Sequence, residues 1–96
     1  MKAILLITDS EAIRDYERAL VAGGQQGFTV MPAIAGSGRQ GLKTGDRIHP
    51  GSSSLLLAVA EAGREEELVA LLRSTRDAAG YGESTRMWTF DMAEVA

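Results

Sequence analysis

The chain of 96 residues is 45% hydrophobic and 24% charged, with a net charge of -3; this is typical of a single globular domain over 1–96 and excludes a disordered chain. It has no cysteine, which excludes a disulfide framework and thiolate chemistry. The mild acidity argues against nucleic-acid binding, and no apolar run reaches the roughly 18 residues of a membrane span. The first residues, MKAILLITDSE, lack a signal-peptide pattern, so we expect a cytoplasmic protein without membrane insertion.

The first quarter of the chain predicts a strand followed by a helix. The apolar run 2–8 is typical of a strand, and apolar residues at helical spacing predict a helix over 11–22. A Gly-Gly pair ends this helix. Its start is predicted at one of the polar residues before it. These candidates are Thr8, which has capping-box spacing with Glu11, and Asp9 and Ser10.

The middle of the chain predicts two further strands and a second helix. The strand expected over 28–35 contains Pro32, and because proline cannot donate to a neighbouring strand, we expect this strand at a sheet edge or with a bulge. A continuously apolar run predicts a third strand over 55–60. The second helix opens at the acidic triplet 65–67 and stops at Gly80.

A fourth strand, over 85–92, completes the order strand, helix, strand, strand, helix, strand. This order predicts an α+β, ferredoxin-like βαββαβ sandwich, in which an antiparallel four-stranded sheet carries both helices on one face. In the usual strand order, 4-1-3-2, the second strand is an edge, in agreement with Pro32.

The two central strands, 2–8 and 55–60, are apolar on both faces. A two-layer sandwich covers only one sheet face with helices, and a solvated second face would alternate to polar residues. We therefore expect homo-oligomerisation to cover the second face. We also expect Leu56→Lys to place a charge on that face and to break the oligomer or unfold the protein.

The stretch Gly36 to Ser54 is predicted to be a long loop, and loops of this length are usually functional or disordered. It contains three cations against one acid, and the single histidine of the chain. The cations are Arg39, Lys43 and Arg47. The histidine, His49, is either a turn residue or a metal ligand; without a cysteine or second histidine, a turn residue is favoured and no metal site is predicted.

Two chemical readings of the loop are weaker. The glycines of 36–41 have the spacing G-x-G-x-x-G, which could indicate dinucleotide binding, but no helix follows them. Asp46 lies near His49, but neither a nucleophile nor a second carboxylate stands at a defined spacing from them. We therefore predict no catalytic residues and no enzyme activity.

The segment 27–41, GFTVMPAIAGSGRQG, resembles the strand and loop start of the nitrogen-regulatory PII signalling proteins. Their signature there is a GxTV strand followed by a glycine, any residue and Gly-Arg-Gln. The segment 89–95, TFDMAEV, resembles the last strand of the same family, and the element order agrees over the whole chain. The resemblance implies the ferredoxin-like fold, assembled as a trimer with the sheets facing inward.

The resemblance also implies a ligand. Members of the family bind adenine nucleotides (here ADP, AMP or ATP) in clefts between subunits. By this likeness Thr29 contacts the nucleoside, and Arg86 replaces the lysine of a second phosphate loop at 80–86. The residues that line the phosphate and effector side are Gly36, Gly38, Arg39 and Gln40. Glycine backbone N–H groups with an arginine fork bind phosphate oxygens well.

A regulated partner, such as a transporter or an enzyme, is implied as well. It would be contacted by the 36–54 loop, through Lys43, Arg47 and His49. This loop is shorter than that of the family and has no tyrosine, the 80–86 loop carries Glu83, and the family's C-terminal arginines are missing. The resemblance therefore implies a divergent PII-like signalling protein.

Two alternatives belong to other functional classes. One is a metal-tolerance, metal-binding protein like the CutA branch of the same superfold, which predicts clustered metal ligands. The other is a small hydrolase of ferredoxin-like fold, such as an acylphosphatase. That family has a glycine-bracketed phosphate loop after its first strand, whereas Thr8, Asp9 and Ser10 lead directly into the predicted helix.

Overall fold

A computed structural model of the chain describes residues 1–25, 27–34, 36–38, 41–43 and 52–96, with the backbone alone for 33–34, 36–38 and 41–43. It contains two helices and six strands within these residues. In chain order they are β1 (Lys2–Asp9), α1 (Ile13–Ala22), β2 (Phe28–Ile34), β3 (Gly36–Gly38), β4 (Gly41–Lys43), β5 (Ser53–Ala60), α2 (Glu65–Ala79) and β6 (Arg86–Asp91).

Strands β2, β5, β1 and β6 form the main sheet, in that order, and every neighbouring pair is antiparallel. The strands β1, β2, β5 and β6 are the first to fourth strands predicted from the sequence. Taken from the β6 edge, their order is the predicted 4-1-3-2 of a ferredoxin-like α+β fold. Strand β2 lies at one edge, and its register against β5 shifts between Met31 and Ile34. Pro32 lies within that interval, and the predicted edge position of this strand is confirmed.

The hydrophobic core lies between this sheet and the two helices, which pack against each other. Tyr16 and Leu20 from α1 and Leu68 and Leu72 from α2 are fully buried there. Apolar side chains of the two central strands complete the core on the sheet side. They are Ile4, Leu6, Leu56, Ala58 and Ala60. Burying one such leucine or isoleucine stabilises the fold by about 1.5–3 kcal/mol.

Leu56 therefore faces the helices, and the expectation that Leu56→Lys would charge the open face is wrong. The register pairs Leu56 with Leu6, both fully buried, whereas their neighbours Leu57 and Leu5 point to the opposite face and remain partly exposed. Both faces of β5 are apolar, so the alternation of side chains along this strand does not indicate which face the helices cover. The substitution that charges the open face is Leu57→Lys.

The open face is as apolar as predicted. Its central rows contain Leu5, Ile7, Leu55, Leu57 and Val59, all half-buried. Large apolar side chains continue to both sheet edges, since Met31 on β2 is 56% exposed and Trp88 and Phe90 on β6 are 50% and 44% exposed. A contiguous apolar surface of this kind marks an interaction site on a protein that is otherwise polar outside.

The start of α1 differs from the prediction. Strand β1 continues to Asp9, and the residue at the N-cap position is Ala12, with no side-chain hydrogen bond to the helix. The hydroxyls of Thr8 and Ser10 instead bond residues far along the chain, Thr85 and Ser54. The end of α2 is as predicted, because Gly80 takes the left-handed conformation, with φ of 75°, that glycine adopts at low cost.

The predicted 36–54 loop contains regular structure at both ends. Strands β3 and β4 pair as an antiparallel ladder, with Gly36 opposite Lys43 and Gly38 opposite Gly41. At the other end, β5 begins at Ser53 rather than at Leu55. The interval 44–51 lies outside the described residues.

Candidate functional site

Thr29 and Arg86, the two described site residues with side chains, lie on opposite edges of the sheet. Thr29 is on β2 and Arg86 is the first residue of β6, with β5 and β1 between them. One row of the open face runs from edge to edge at the level of Thr29. Its members are Thr29, Leu57, Leu5 and Trp88. Three strand spacings of about 4.8 Å separate the two edges by about 14 Å, so the two side chains do not meet within one chain.

The segment 80–85 connects α2 to β6 and holds Arg86 in place. The Nη1 group of Arg86 donates hydrogen bonds to the carbonyl oxygens of Gly82 (3.1 Å) and Thr85 (2.9 Å). No bond from its other guanidinium N–H groups is recorded within the described residues. The guanidinium is therefore fixed against the backbone while keeping donors for an anion, the geometry that makes arginine suited to phosphate oxygens.

A buried group of hydroxyls anchors this segment to the rest of the fold. The Thr85 hydroxyl is hydrogen-bonded to the Tyr16 hydroxyl at 2.6 Å and to the Thr8 hydroxyl at 2.8 Å. All three residues are buried, and burial raises the pKa of the Tyr16 phenol. Because buried polar groups cost free energy unless they are paired, these bonds fix the residue that precedes Arg86.

A second contact holds the same segment from outside the core. The Tyr81 hydroxyl donates a hydrogen bond to the Asp15 carboxylate at 2.7 Å, and the Tyr81 ring packs against Tyr16 with centroids 6.0 Å apart. The bond to Asp15 raises the pKa of the Tyr81 phenol, since a donor to a carboxylate resists losing its proton. Helix α1 thus positions the 80–85 segment through two neighbouring residues.

The glycines predicted at the phosphate side lie on the small β3–β4 ladder. Gly36 and Gly38 are its first and last residues on β3, and Lys43 ends β4. Arg39 and Gln40, and also Arg47 and His49, lie outside the described residues. Lys43 is placed by its backbone only, so its predicted contact with a partner stays a prediction.

Three serine hydroxyls secure the return of the chain into β5. Ser10 is hydrogen-bonded through its hydroxyl to those of Ser52 and Ser54, each at 2.8 Å, and its backbone N–H donates to the Ser52 carbonyl at 2.9 Å. The end of the predicted loop is therefore tied to the end of β1. This fixes the position at which the chain enters β5.

Sequence reasoning missed the residues that support the site. Helical periodicity makes Tyr16 an apolar position of α1 and places Asp15 on its polar side. Both bond residues 66 or more positions away in the chain. Helical periodicity carries no information on such partners, and a hydroxyl among apolar positions was the single available signal.

Within the described residues, no group of three histidine, cysteine or acidic side chains is arranged to hold a metal ion. No helix in the described part of the chain is long and apolar enough to cross a membrane.

No protein-family profile matches the chain, and no curated protein matches it. Solved structures do resemble it. One is CPII, a nitrogen regulatory PII-like protein from Thiomonas intermedia K12 bound to ADP, AMP and bicarbonate, with a TM-score of 0.72 and 19% identity over 95% of this chain and 84% of that one. A structure of CPII bound to ADP and bicarbonate gives a TM-score of 0.71 at 20% identity, over 95% and 84% of the two chains. A third, with ADP, AMP and acetate, gives 0.69 at 18% over the same shares. The chain therefore has the fold of the nitrogen regulatory PII-like proteins.

Proposed function

We propose that this chain is a PII-like regulatory protein, not an enzyme, that forms a homotrimer and binds an adenine nucleotide in the clefts between its subunits. Nucleotide binding controls how the 36–54 segment contacts a partner protein. The similar structures support this role, since CPII was solved with ADP and AMP.

The separation of Thr29 from Arg86 carries the proposal. A nucleoside contact on β2 and a phosphate contact at the start of β6 are more than about 14 Å apart within a chain. When β2 of one subunit faces β6 of the next, the two contacts come together across the junction. A trimer then contains three equivalent clefts, each completed by two chains.

Burial of the apolar open face favours association of the subunits. Leu5 and Leu57 lie at its centre, and Met31 and Trp88 extend it to the two edges. Leaving this surface in water costs roughly 25 cal/mol for each Å². Three copies of the face turned inward bury it around a common axis and leave both helices of every subunit outside.

The phosphate groups of the nucleotide contact both subunits at the junction, through Arg86 of one and the segment 36–40, which follows β2, of the other. Arg86 supplies a guanidinium held by two carbonyl oxygens. Gly36 and Gly38 lie on a ladder that permits close approach of the backbone, and Arg39 and Gln40 follow in the sequence. Lys43, Arg47 and His49 lie further along and contact the partner, a transporter or an enzyme.

Titration calorimetry tests the proposal. The purified protein is titrated with ADP, AMP and ATP, with and without magnesium and bicarbonate. We expect saturable binding near one site per subunit. Arg86→Ala and Arg39→Ala should each abolish this binding while the oligomer remains intact. Arg14→Ala is the matched control, because Arg14 is exposed on α1.

Two results would contradict the proposal. One is the absence of heat with every nucleotide in the intact oligomer. The other is unchanged affinity in both the Arg86 and the Arg39 variants, which would place the nucleotide elsewhere.

A further inference from the structure

A groove between α2 and β6 continues from Arg86, the proposed phosphate contact. It encloses about 610 Å³, and Thr85 and Arg86 line one end of it. Thr29, the proposed nucleoside contact, lies opposite Leu57 on the far edge of the sheet. For a ligand whose nucleoside is held at Thr29 of the neighbouring subunit, the groove therefore lies beyond the first phosphate contact.

Helix α2 runs along the groove in the direction opposite to β6. Near the start of β6, the backbone N–H of Tyr81 donates to the Arg76 carbonyl at 2.9 Å. Near the end of β6, Lys2 is paired with Asp91 at 2.8 Å, and the pKa of Lys2 is raised by this bond and further by the charge of Glu65. The last turns of the helix therefore lie beside the start of β6, and its first residue lies beside the end of that strand.

The charge of the groove changes along this direction. Arg73 and Arg76 line the end near Arg86. Glu65 and Glu66 line the other end. At about 1.5 Å per residue along the helix axis, Arg73 lies about 4.5 Å from Arg76, and Glu66 lies about 10.5 Å beyond Arg73. A phosphate chain that extends from Arg86 along the groove thus meets a cation first and carboxylates later.

Arg73 is the more available of the two arginines on α2. Its side chain is exposed, and its guanidinium has no ion pair within the described residues. The Nε group of Arg76, in contrast, donates a hydrogen bond to the Asp77 carboxylate at 2.9 Å. A guanidinium without such a partner keeps its whole set of donors for phosphate oxygens.

Apolar and small side chains separate the two charged ends of the groove. They are Val69, Ala70 and Met87, of which Val69 and Met87 are half-buried. Charges interact more strongly beside apolar walls that exclude water than on an open surface. The attraction at one end and the repulsion at the other therefore both act on an anion inside the groove.

We propose that Arg73 is a further phosphate contact beside Arg86, and that Glu66 limits the length of the phosphate chain that the nucleotide cleft accepts. This inference rests on the proposed function and adds α2 to the site. Two guanidinium groups, one from α2 and one from β6, hold a short phosphate chain between them. A longer chain brings its negative charge closer to Glu66, and like charges in a partly desolvated groove repel. The cleft therefore prefers ADP to ATP.

The test removes single charges from the groove. Without magnesium, titration calorimetry of the unmodified oligomer should show tighter binding of ADP than of ATP. Arg73→Gln should weaken ADP binding at least about tenfold, and Arg73→Lys, which keeps the charge but loses the fork, should weaken it less. Glu66→Gln should tighten ATP binding about threefold or more and change ADP binding by less. Sedimentation velocity checks that each variant keeps the oligomer.

Two controls remove the same charges outside the groove. Arg14→Gln changes an exposed position of α1. Glu67→Gln changes the exposed neighbour of Glu66, which pairs with Arg64 at 3.5 Å and does not line the groove. Because exposed charges beyond the Debye length are largely screened, neither control should change the affinity for ADP or ATP by more than about twofold.

Three results would overturn the inference while the proposed function stands. They are tighter binding of ATP than of ADP by the unmodified protein, equal ADP affinities of Arg73→Gln and Arg14→Gln, and an unchanged ratio of ATP to ADP affinity in Glu66→Gln. In each case the unmodified oligomer still binds a nucleotide. If it binds none, the proposed function itself is contradicted and the role of Arg73 is excluded with it.

Discussion

Thr29 and Arg86 belong to one sheet and lie at its two outer strands, with two strands between them. The order 4-1-3-2 fixes this separation, so no movement of a side chain can bring the two residues together in a single subunit. A ligand that needs both must bridge two copies of the chain. Under the proposed function assembly and ligand binding are therefore coupled, and the mixed-trimer experiment below tests this coupling.

Leu57→Lys is expected to break the oligomer. Leu57 is half-buried at the centre of the open face. In an assembled protein the new ammonium group would be buried without a partner, at a cost on the order of several kcal/mol. Sedimentation velocity should show a mass near the 10.2 kDa of one chain in place of about three times that mass.

Ser74→Lys is the control for this variant, because Ser74 is exposed on α2. It should sediment as the unmodified protein does. A folded Leu57→Lys protein that remains fully trimeric would show that the open face is not the subunit interface.

Thr85→Val should destabilise the fold by about 1–3 kcal/mol. The change keeps the shape of the side chain but removes the hydroxyl that is bonded to Tyr16 and Thr8, leaving both of these buried groups short of a partner. The free energy of unfolding, measured with urea, gives the effect. Thr89→Val, an exposed position on the same strand, should change it by less than about 0.5 kcal/mol. Equal effects of the two variants would mean that the buried hydroxyls contribute nothing specific.

We expect the stabilising bond between Tyr81 and Asp15 to be lost at alkaline pH. Its pKa in the folded state is raised above the ordinary value of 10.0 by the bond to Asp15. A raised pKa contributes stability that is fully present below pH 10 and is lost as the pH rises through the folded pKa. Between about pH 9 and about pH 11, the urea midpoint should fall less in Tyr81→Phe than in the unmodified protein.

Tyr16 stays in that variant and its pKa is also raised, so part of the alkaline loss should remain. An identical pH profile for Tyr81→Phe and the unmodified protein would exclude a role for the Asp15–Tyr81 bond in stability.

The sequence was sufficient for the order of elements because its strongest signals are local. Pro32 predicted a strand at a sheet edge or with a bulge, and Gly80 predicted the end of α2, since each residue restricts its own backbone. The type of each element and the topology could thus be predicted from single residues and from hydrophobic periodicity.

Features that depend on residues distant in the chain could not be predicted from the sequence. Leu56 was assigned to the wrong face, because β5 is apolar on both sides and its orientation is set by packing under the helices. Thr8 and Ser10 were expected to cap α1, but their hydroxyls bond Thr85 and Ser54 across the fold. A local motif cannot show that a distant group competes for the same hydroxyl.

The most direct test of the central claim is nucleotide binding by a mixed trimer. One chain carries Thr29→Val and the other carries Arg86→Ala, each with its own affinity tag, and the mixed species is isolated after co-expression. A trimer of either variant alone has a defect in every cleft. Each mixed trimer contains one junction that joins an intact Thr29 to an intact Arg86. Calorimetry with ADP should therefore recover one site of unmodified affinity per mixed trimer. If the mixed trimer binds no better than the two single-variant trimers while the unmodified protein binds ADP, the nucleotide does not bridge subunits through these two residues.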